Sequence, residues 1–171
     1  TVLKVIMPDS VEKMENAVFS ECENLMEIRF SHSLKEIPAH TCSGCLALEK
    51  VIIPEGVTNI GDGAFNSGDI PMSYSEIKFP KTLKSIEGEA FSNNDSVTDG
   101  LESIGKYAFE KNTSLVKVSF GDGITELPNS VFSFDTILKN ISLPYGLKSI
   151  GRFVFDTDKN IEELYIPETV E

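Results

Sequence analysis

The feature that most constrains this chain is a self-similarity with a period of 23 residues. A chain that repeats at such an interval builds stacked units, none of which can bury its own apolar face alone. The register is marked by a small or branched residue followed by an aromatic one. The pairs are Val18-Phe19, Ala64-Phe65, Ala90-Phe91, Ala108-Phe109, Val131-Phe132 and Val154-Phe155, with Thr41-Cys42 in the same place. Five residues before the second member of each pair stand Met14, Ile37, Ile60, Ile86, Ile104, Leu127 and Ile150. Three residues earlier come Val11, Leu34, Val57, Leu83, Leu101, Ile124 and Leu147, and Val170 opens a further such position.

Ahead of these positions lies a short alternating segment. Its inward pairs are Val5/Met7, Ile28/Phe30, Val51/Ile53, Ile77/Phe79, Val118/Phe120, Ile141/Leu143 and Leu164/Ile166. Alternation over so short a piece reads as a strand. Pro8, Pro54, Pro80, Pro144 and Pro167 follow it. A proline has no N–H for the ladder, so it ends the strand and turns the chain into the next side of the coil. The expectation is an α/β repeat solenoid of about seven coils. Its short parallel strands would lie on one face, stacked about 4.8 Å apart.

The whole chain, 1–171, reads as a single array. It opens inside a repeat, on TVLKVIMP, and stops inside another, on LYIPETVE. It is therefore expected to be a piece of a longer repeat region, and its own ends say nothing about targeting. Two coils are irregular, because the Met14 column is spaced 23, 23, 26, 18, 23 and 23 residues. The long interval holds an insertion over 66–75, rich in Gly, Ser, Asp and Pro. In the short one only Thr98-Asp99-Gly100 separates Val97 from Leu101, where other coils have room for a strand. Either this coil lacks its rung or residues are absent from the sequence, and the second is favoured, since flanking strands would otherwise lose their pairing.

Acidic residues number 27 against 15 basic ones, a net charge of −12. Nucleic acid and anionic lipid both ask for a positive footprint, so neither is an expected partner. The balance fits a solvated extracellular surface. No apolar run is long enough to span a bilayer, so insertion of this segment into a membrane is not expected.

On the strands, the first outward column reads Lys4, Glu27, Lys50, Glu76, Lys117, Asn140, Glu163. Its first four members alternate in sign, which suits cross-strand ladder pairs. The second column reads Ile6, Arg29, Ile52, Lys78, Ser119, Ser142, Tyr165. A mixture of isoleucine, cations and tyrosine is unlike a merely solvated face, and Arg and Tyr are favoured interface anchors. Arg29, Ile52, Lys78 and Tyr165 are the candidate partner-binding residues.

Runs such as LEKVIIPEGVTNIGDGAF, with ECENL and GCLAL closing earlier turns, resemble the BspA-like leucine-rich repeats, the Treponema pallidum type. The resemblance covers essentially the whole chain. It places Leu48, Val51, Ile53, Pro54, Val57, Ile60, Ala64 and Phe65 on strand and core positions, and Cys22 and Cys45 on an internal cysteine position. Thr41-Cys42 departs from the usual Ala-Phe, and Ser31 and Gly121 stand where proline is usual. The resemblance implies a secreted or surface-attached protein, bacterial rather than protist. It also implies adhesion to a host or microbial surface protein or glycan, and it supplies no binding residue to carry over.

Other constellations are weaker. His40, Cys42, Cys45 and Cys22 could supply four zinc ligands. Register instead puts the cysteines at core positions, where a thiol acts as a small hydrophobe. A disulfide among three cysteines leaves one over, and the pairing is open. His32 and His40 are the only histidines, and Ser43 and Ser67 sit in no nucleophile-elbow motif. Asp62 with Asp69, or Asp156 with Asp158, match no calcium loop. Asn94, Asn112 and Asn140 head glycosylation-like triplets that are frequent by chance. No enzyme, cofactor or metal is expected. The two readings are an extracellular binding module using its sheet face, or a spacer in a larger surface protein that binds nothing.

Overall fold

The computed structural model describes residues 2–68, 70, 76–78, 80–91, 101–111, 117–120 and 123–171. Its first strands in chain order are β1 (Lys4–Ile6), β2 (Glu27–Arg29), β3 (Glu36–Ile37), β4 (Lys50–Ile52), β5 (Asn59–Ile60) and β6 (Glu76–Lys78). They are followed by β7 (Ser85–Ile86), β8 (Ser103–Ile104), β9 (Lys117–Ser119), β10 (Glu126–Leu127), β11 (Asn140–Ser142) and β12 (Ser149–Ile150). All pairing is parallel, between equivalent positions of neighbouring coils.

The three-residue strands carry the register read from the sequence. Lys4, Glu27, Lys50 and Glu76 lie side by side across β1, β2, β4 and β6, as do Ile6, Arg29, Ile52 and Lys78. Asn140 pairs with Lys117, and an isolated bridge joins it to Glu163. Between these columns the inward residues Ile28 and Val51 are fully buried.

Three expectations need correction. Strands occupy two faces of each coil, not one. The Met14 column, taken as core alone, supplies a second sheet of two-residue strands in the order β3-β5-β7-β8, with β10-β12 beyond it. Its apolar members point in, while Asn59 and Ser85 hydrogen-bond outside. Among the described residues each face holds six strands, which delimit about five turns of solenoid rather than seven coils, a number that counted the part-coils at both ends.

The α half of the expected α/β class is also not found: the described residues contain no helix. The third side of each coil is a ribbon of overlapping turns. Residues in the left-handed region recur at one column: Ala17, His40, Gly63, Glu89, Tyr107, Ser130 and Phe153, with φ between 53° and 60°. A second column follows four residues later at Glu21, Gly44, Lys111, Phe134 and Thr157. A left-handed residue every few positions stops right-handed helix from propagating. The freed N–H groups reach sideways to the next coil instead. Ala17, Phe19 and Glu21 donate to the carbonyls of Ala39, Thr41 and Ser43 over 2.7–3.0 Å, and His40, Cys42 and Gly44 donate to Asp62, Ala64 and Asn66.

Two sides of the short coil lie among the described residues and continue from their neighbours. Ser85 pairs with Ser103 across β7 and β8, and Phe91 N donates to the Ala108 carbonyl over 3.0 Å. On the first face β6 and β9 belong to separate sheets. The rung in question would fall in 92–100, outside the described residues, as does most of the 66–75 insertion.

Between the faces runs a column of rings. Phe65, Phe91, Phe109, Phe132 and Phe155 stack with centroids 5.0–6.1 Å apart and planes within 17° of parallel. Such pairs add to the burial of each ring. Toward the N-terminus Cys42 replaces the next ring, and Phe30 meets Phe65 edge-on at 79°. In the first coil Val5, Met7, Val11, Met14 and Phe19 are only partly buried, because a coil with one neighbour covers one side of its core.

Coils approach so closely after the second strand that a side chain is excluded there. A Cβ on Gly105 would lie 2.2 Å from the backbone nitrogen of Gly88, and one on Gly61 would lie 2.6 Å from that of Ala39. Gly105→Ala is therefore expected to cost about 1–3 kcal/mol by forcing the ladder apart. Urea unfolding of the pure variant checks this, and an unchanged midpoint would contradict the close approach.

Candidate interaction face

The outward surface of β1, β2, β4 and β6 is a flat strip one coil-spacing per rung. Glu27 is its electrostatic centre. Lys4 Nζ lies 2.7 Å from Glu27 Oε2, and Arg29 Nε donates to Glu27 Oε1 at 2.7 Å. The Lys4 ammonium first, and then the Arg29 guanidinium, hold the Glu27 carboxyl below its ordinary range. The Lys4–Glu27 rung pair follows from sign alternation, whereas the bond from Arg29 joins two columns that sequence reasoning kept apart. Its signal was present as E-x-R on one strand, where residues two apart share a face.

Arg29 lies between Ile6 and Ile52 in register. Ile6 is 61% exposed, Arg29 is half exposed, and Ile52 is partly covered. Lys78 occupies the next rung by backbone pairing, and its side chain is outside the described residues. Tyr165 does not join them. It is 80% exposed, donates to Glu163 Oε2 at 3.4 Å and sits beside the C-terminal bridge. At ordinary strand spacing that is five coil steps, roughly 24 Å, from Ile52 along the array. The structure thus groups Arg29, Ile52 and Lys78 on adjacent rungs and separates Tyr165.

Both histidines lie beside aspartates. Asp9 Oδ1 accepts the backbone N–H of His32 at 3.0 Å and lies 2.9 Å from His32 Nδ1, while the Ser33 hydroxyl donates to the Asp9 carbonyl. His40 Nε2 is 3.9 Å from Asp62 Oδ2, and its ring covers Gly63. A depression of about 390 Å³ beside β3 and β5 is lined by Lys13, Glu15, Glu36 and Asn59 among others, with no histidine, cysteine or serine. Among the described residues no group of three or more histidines, cysteines or acids is placed to hold a metal ion. Asp69, Asn94 and Asn112 lie outside the described residues, whereas Asn140 is exposed on β11.

Asp156 and Asp158 do not converge. Asp156 is exposed, while Asp158 turns inward and its Oδ1 accepts the backbone N–H of Asp135 at 2.9 Å. Asp135 is fully buried, and Asp158 Oδ2 is buried without a hydrogen-bond partner. The repeat register puts both aspartates in the column of Cys22 and Cys45, a signal that sequence reasoning passed over. Burial is the main force pushing the Asp158 carboxyl up to about 7; the Asp135 N–H opposes it and the charge of Asp156 adds to it. The folded value exceeds the ordinary 3.8, so between about pH 4 and pH 7 the native coil holds a proton that the unfolded chain has released. This contribution to stability is whole below about pH 4 and is lost as pH rises through about 7. Asp158→Asn should therefore gain on the parent in melting temperature as pH rises across that window. A constant difference between the two would show that Asp158 is ordinary.

The comparisons with known proteins agree with one another. The family model for the BspA type leucine rich repeat region matches in six copies, over residues 1–99 and 70–171. The leucine rich repeat protein of T. pallidum superposes with a TM-score of 0.83 at 22% identity, covering 99% of this chain and 86% of that one. A leucine-rich repeat protein from Bacteroides ovatus gives a TM-score of 0.69 at 24% identity, covering 99% and 44%. A leucine rich cell surface protein from Faecalibacterium prausnitzii gives 0.56 at 25% identity, covering 98% and 54%. The chain thus spans about half the length of the latter two. No curated protein matches it. The repeat register, the parallel ladders and the family match over both halves of the sequence together make this chain a member of the BspA-type leucine-rich-repeat family.

Proposed function

We propose that this segment is a binding module of a bacterial surface or secreted protein, and that it engages a protein or glycan through the face of β1, β2, β4 and β6. The observation that carries the reading is the column Ile6, Arg29, Ile52, Lys78. It alternates apolar and cationic residues on consecutive rungs, with Ile6 61% exposed. A flat strip of this kind offers apolar contact flanked by fixed charge. Glu27 anchors the Arg29 guanidinium, which lowers the ordering cost of presenting it. The surface origin is supported by the F. prausnitzii neighbour, described as a cell surface protein. The negative balance of the chain speaks for a partner other than nucleic acid.

The competing reading is a spacer that binds nothing. It rests on the same Glu27, which pairs with Lys4 and Arg29 and so satisfies the charges of the face internally. The two readings part in a binding screen of the purified segment against immobilised extracellular-matrix proteins and a glycan array. On the module reading a saturable ligand emerges, and Arg29→Ala with Lys78→Ala weakens it by more than about tenfold, the size of an interface anchor. Binding that ignores both changes places the site elsewhere on the solenoid. Folded protein that binds nothing on either surface favours the spacer. Tyr165→Ala then measures ligand length, since it weakens binding only of a partner that runs the full array.

A further inference from the structure

Cys42, Ser43, Gly44 and Cys45 make a single turn. The N–H of Cys45 donates to the Cys42 carbonyl at 3.2 Å, and Gly44 takes φ 73°. The first and last residues of such a turn have Cα atoms within about 7 Å, and a disulfide asks for about 4.4–6.8 Å. Both side chains face the interior, with Cys42 2% and Cys45 1% exposed. The two thiols are near enough that each is the largest influence on the other's titration. Cys45 Sγ in turn lies 3.0 Å from the Phe19 carbonyl, to which its own S–H donates. No other turn of the ribbon carries two cysteines. Where the next coils place Phe65 and Phe91 in the ring stack, this coil gives up a ring for a sulfur.

We propose that Cys42 and Cys45 are a reversible dithiol–disulfide couple, a redox modification site built into the turn ribbon and independent of the sheet face. The chemistry divides the two roles. The neighbouring Cys42 thiol first, and then the Cys22 backbone, hold the Cys45 thiol below the ordinary range against the effect of burial. Cys42 is pushed well above that range by the neighbouring Cys45 thiol and by burial. Cys45 is therefore the nucleophile. With hydrogen peroxide as oxidant, Cys45 loses its proton, its thiolate attacks one oxygen and the O–O bond breaks; the departing hydroxide takes up that proton as water, leaving Cys45 sulfenic acid. The Cys42 sulfur attacks the sulfenic sulfur, the S–O bond breaks and the S–S bond forms. The Cys42 proton leaves with the departing hydroxide as water. One peroxide and two thiols thus become one disulfide and two waters.

Cys22, half-buried one coil away, is the competing thiol. Trypsin separates the alternatives, because Cys42 and Cys45 fall in one peptide, 36–50, and Cys22 in another, 14–29. The folded chain is treated with hydrogen peroxide, alkylated and digested without reduction. The expected result is peptide 36–50 lighter by two hydrogens and refractory to alkylation, restored by dithiothreitol, and unchanged in a Cys22→Ser variant. That variant leaves the couple itself intact, so the test survives if Cys42→Ser or Cys45→Ser fails to fold. A cross-link between 14–29 and 36–50 would overturn the assignment. So would over-oxidation of one cysteine alone, or thiols that resist peroxide until urea unfolds the chain.

Discussion

Everything in this molecule depends on backbone hydrogen bonds between one coil and the next at constant register. Three ladders run along the array: the three-residue strands, the two-residue strands and the turn ribbon. N–H groups without a partner in their own coil reach the neighbour, as those of Ala17, Phe19 and Glu21 do, because a buried polar backbone must be paired. A displacement of one coil by a single residue would move inward side chains outward on both strand faces at once. The close approach at Gly61 and Gly105 is the local signature of this constraint, because there the ladder leaves no room for a Cβ. In the short coil the second sheet, the turn ladder and the ring stack all continue from their neighbours.

Side chains then complete what the backbone lays out. One column of the core changes its chemistry along the array: thiols at Cys22 and Cys45, carboxyls at Asp135 and Asp158. The same geometry gives opposite consequences. Thiols are small and weakly polar, so they bury at little cost. Carboxyls resist burial in the charged form, and Asp158 keeps its proton toward neutral pH for that reason. On the outside, parallel in-register pairing turns each strand position into a row. Glu27 can therefore serve both the next rung, through Lys4, and its own strand, through Arg29.

The period, the inward columns and the pairing of Lys4, Glu27, Lys50 and Glu76 were legible in the amino-acid sequence. They were legible because burial selects apolar side chains, and identical coils bury the same positions every 23 residues. The second sheet and the turn ribbon were decided only by the tertiary structure. The left-handed column shows why. It is occupied by Ala17, His40, Gly63, Glu89, Tyr107, Ser130 and Phe153, a set with no common side-chain chemistry. What these residues share is a conformation in which their N–H groups point at the neighbouring coil, and it repays its local cost only once that coil is in place. A helix and a ribbon of turns bury the same apolar positions, so hydrophobic pattern could not separate them. The partners of the backbone N–H groups, which no side chain announces, made the choice.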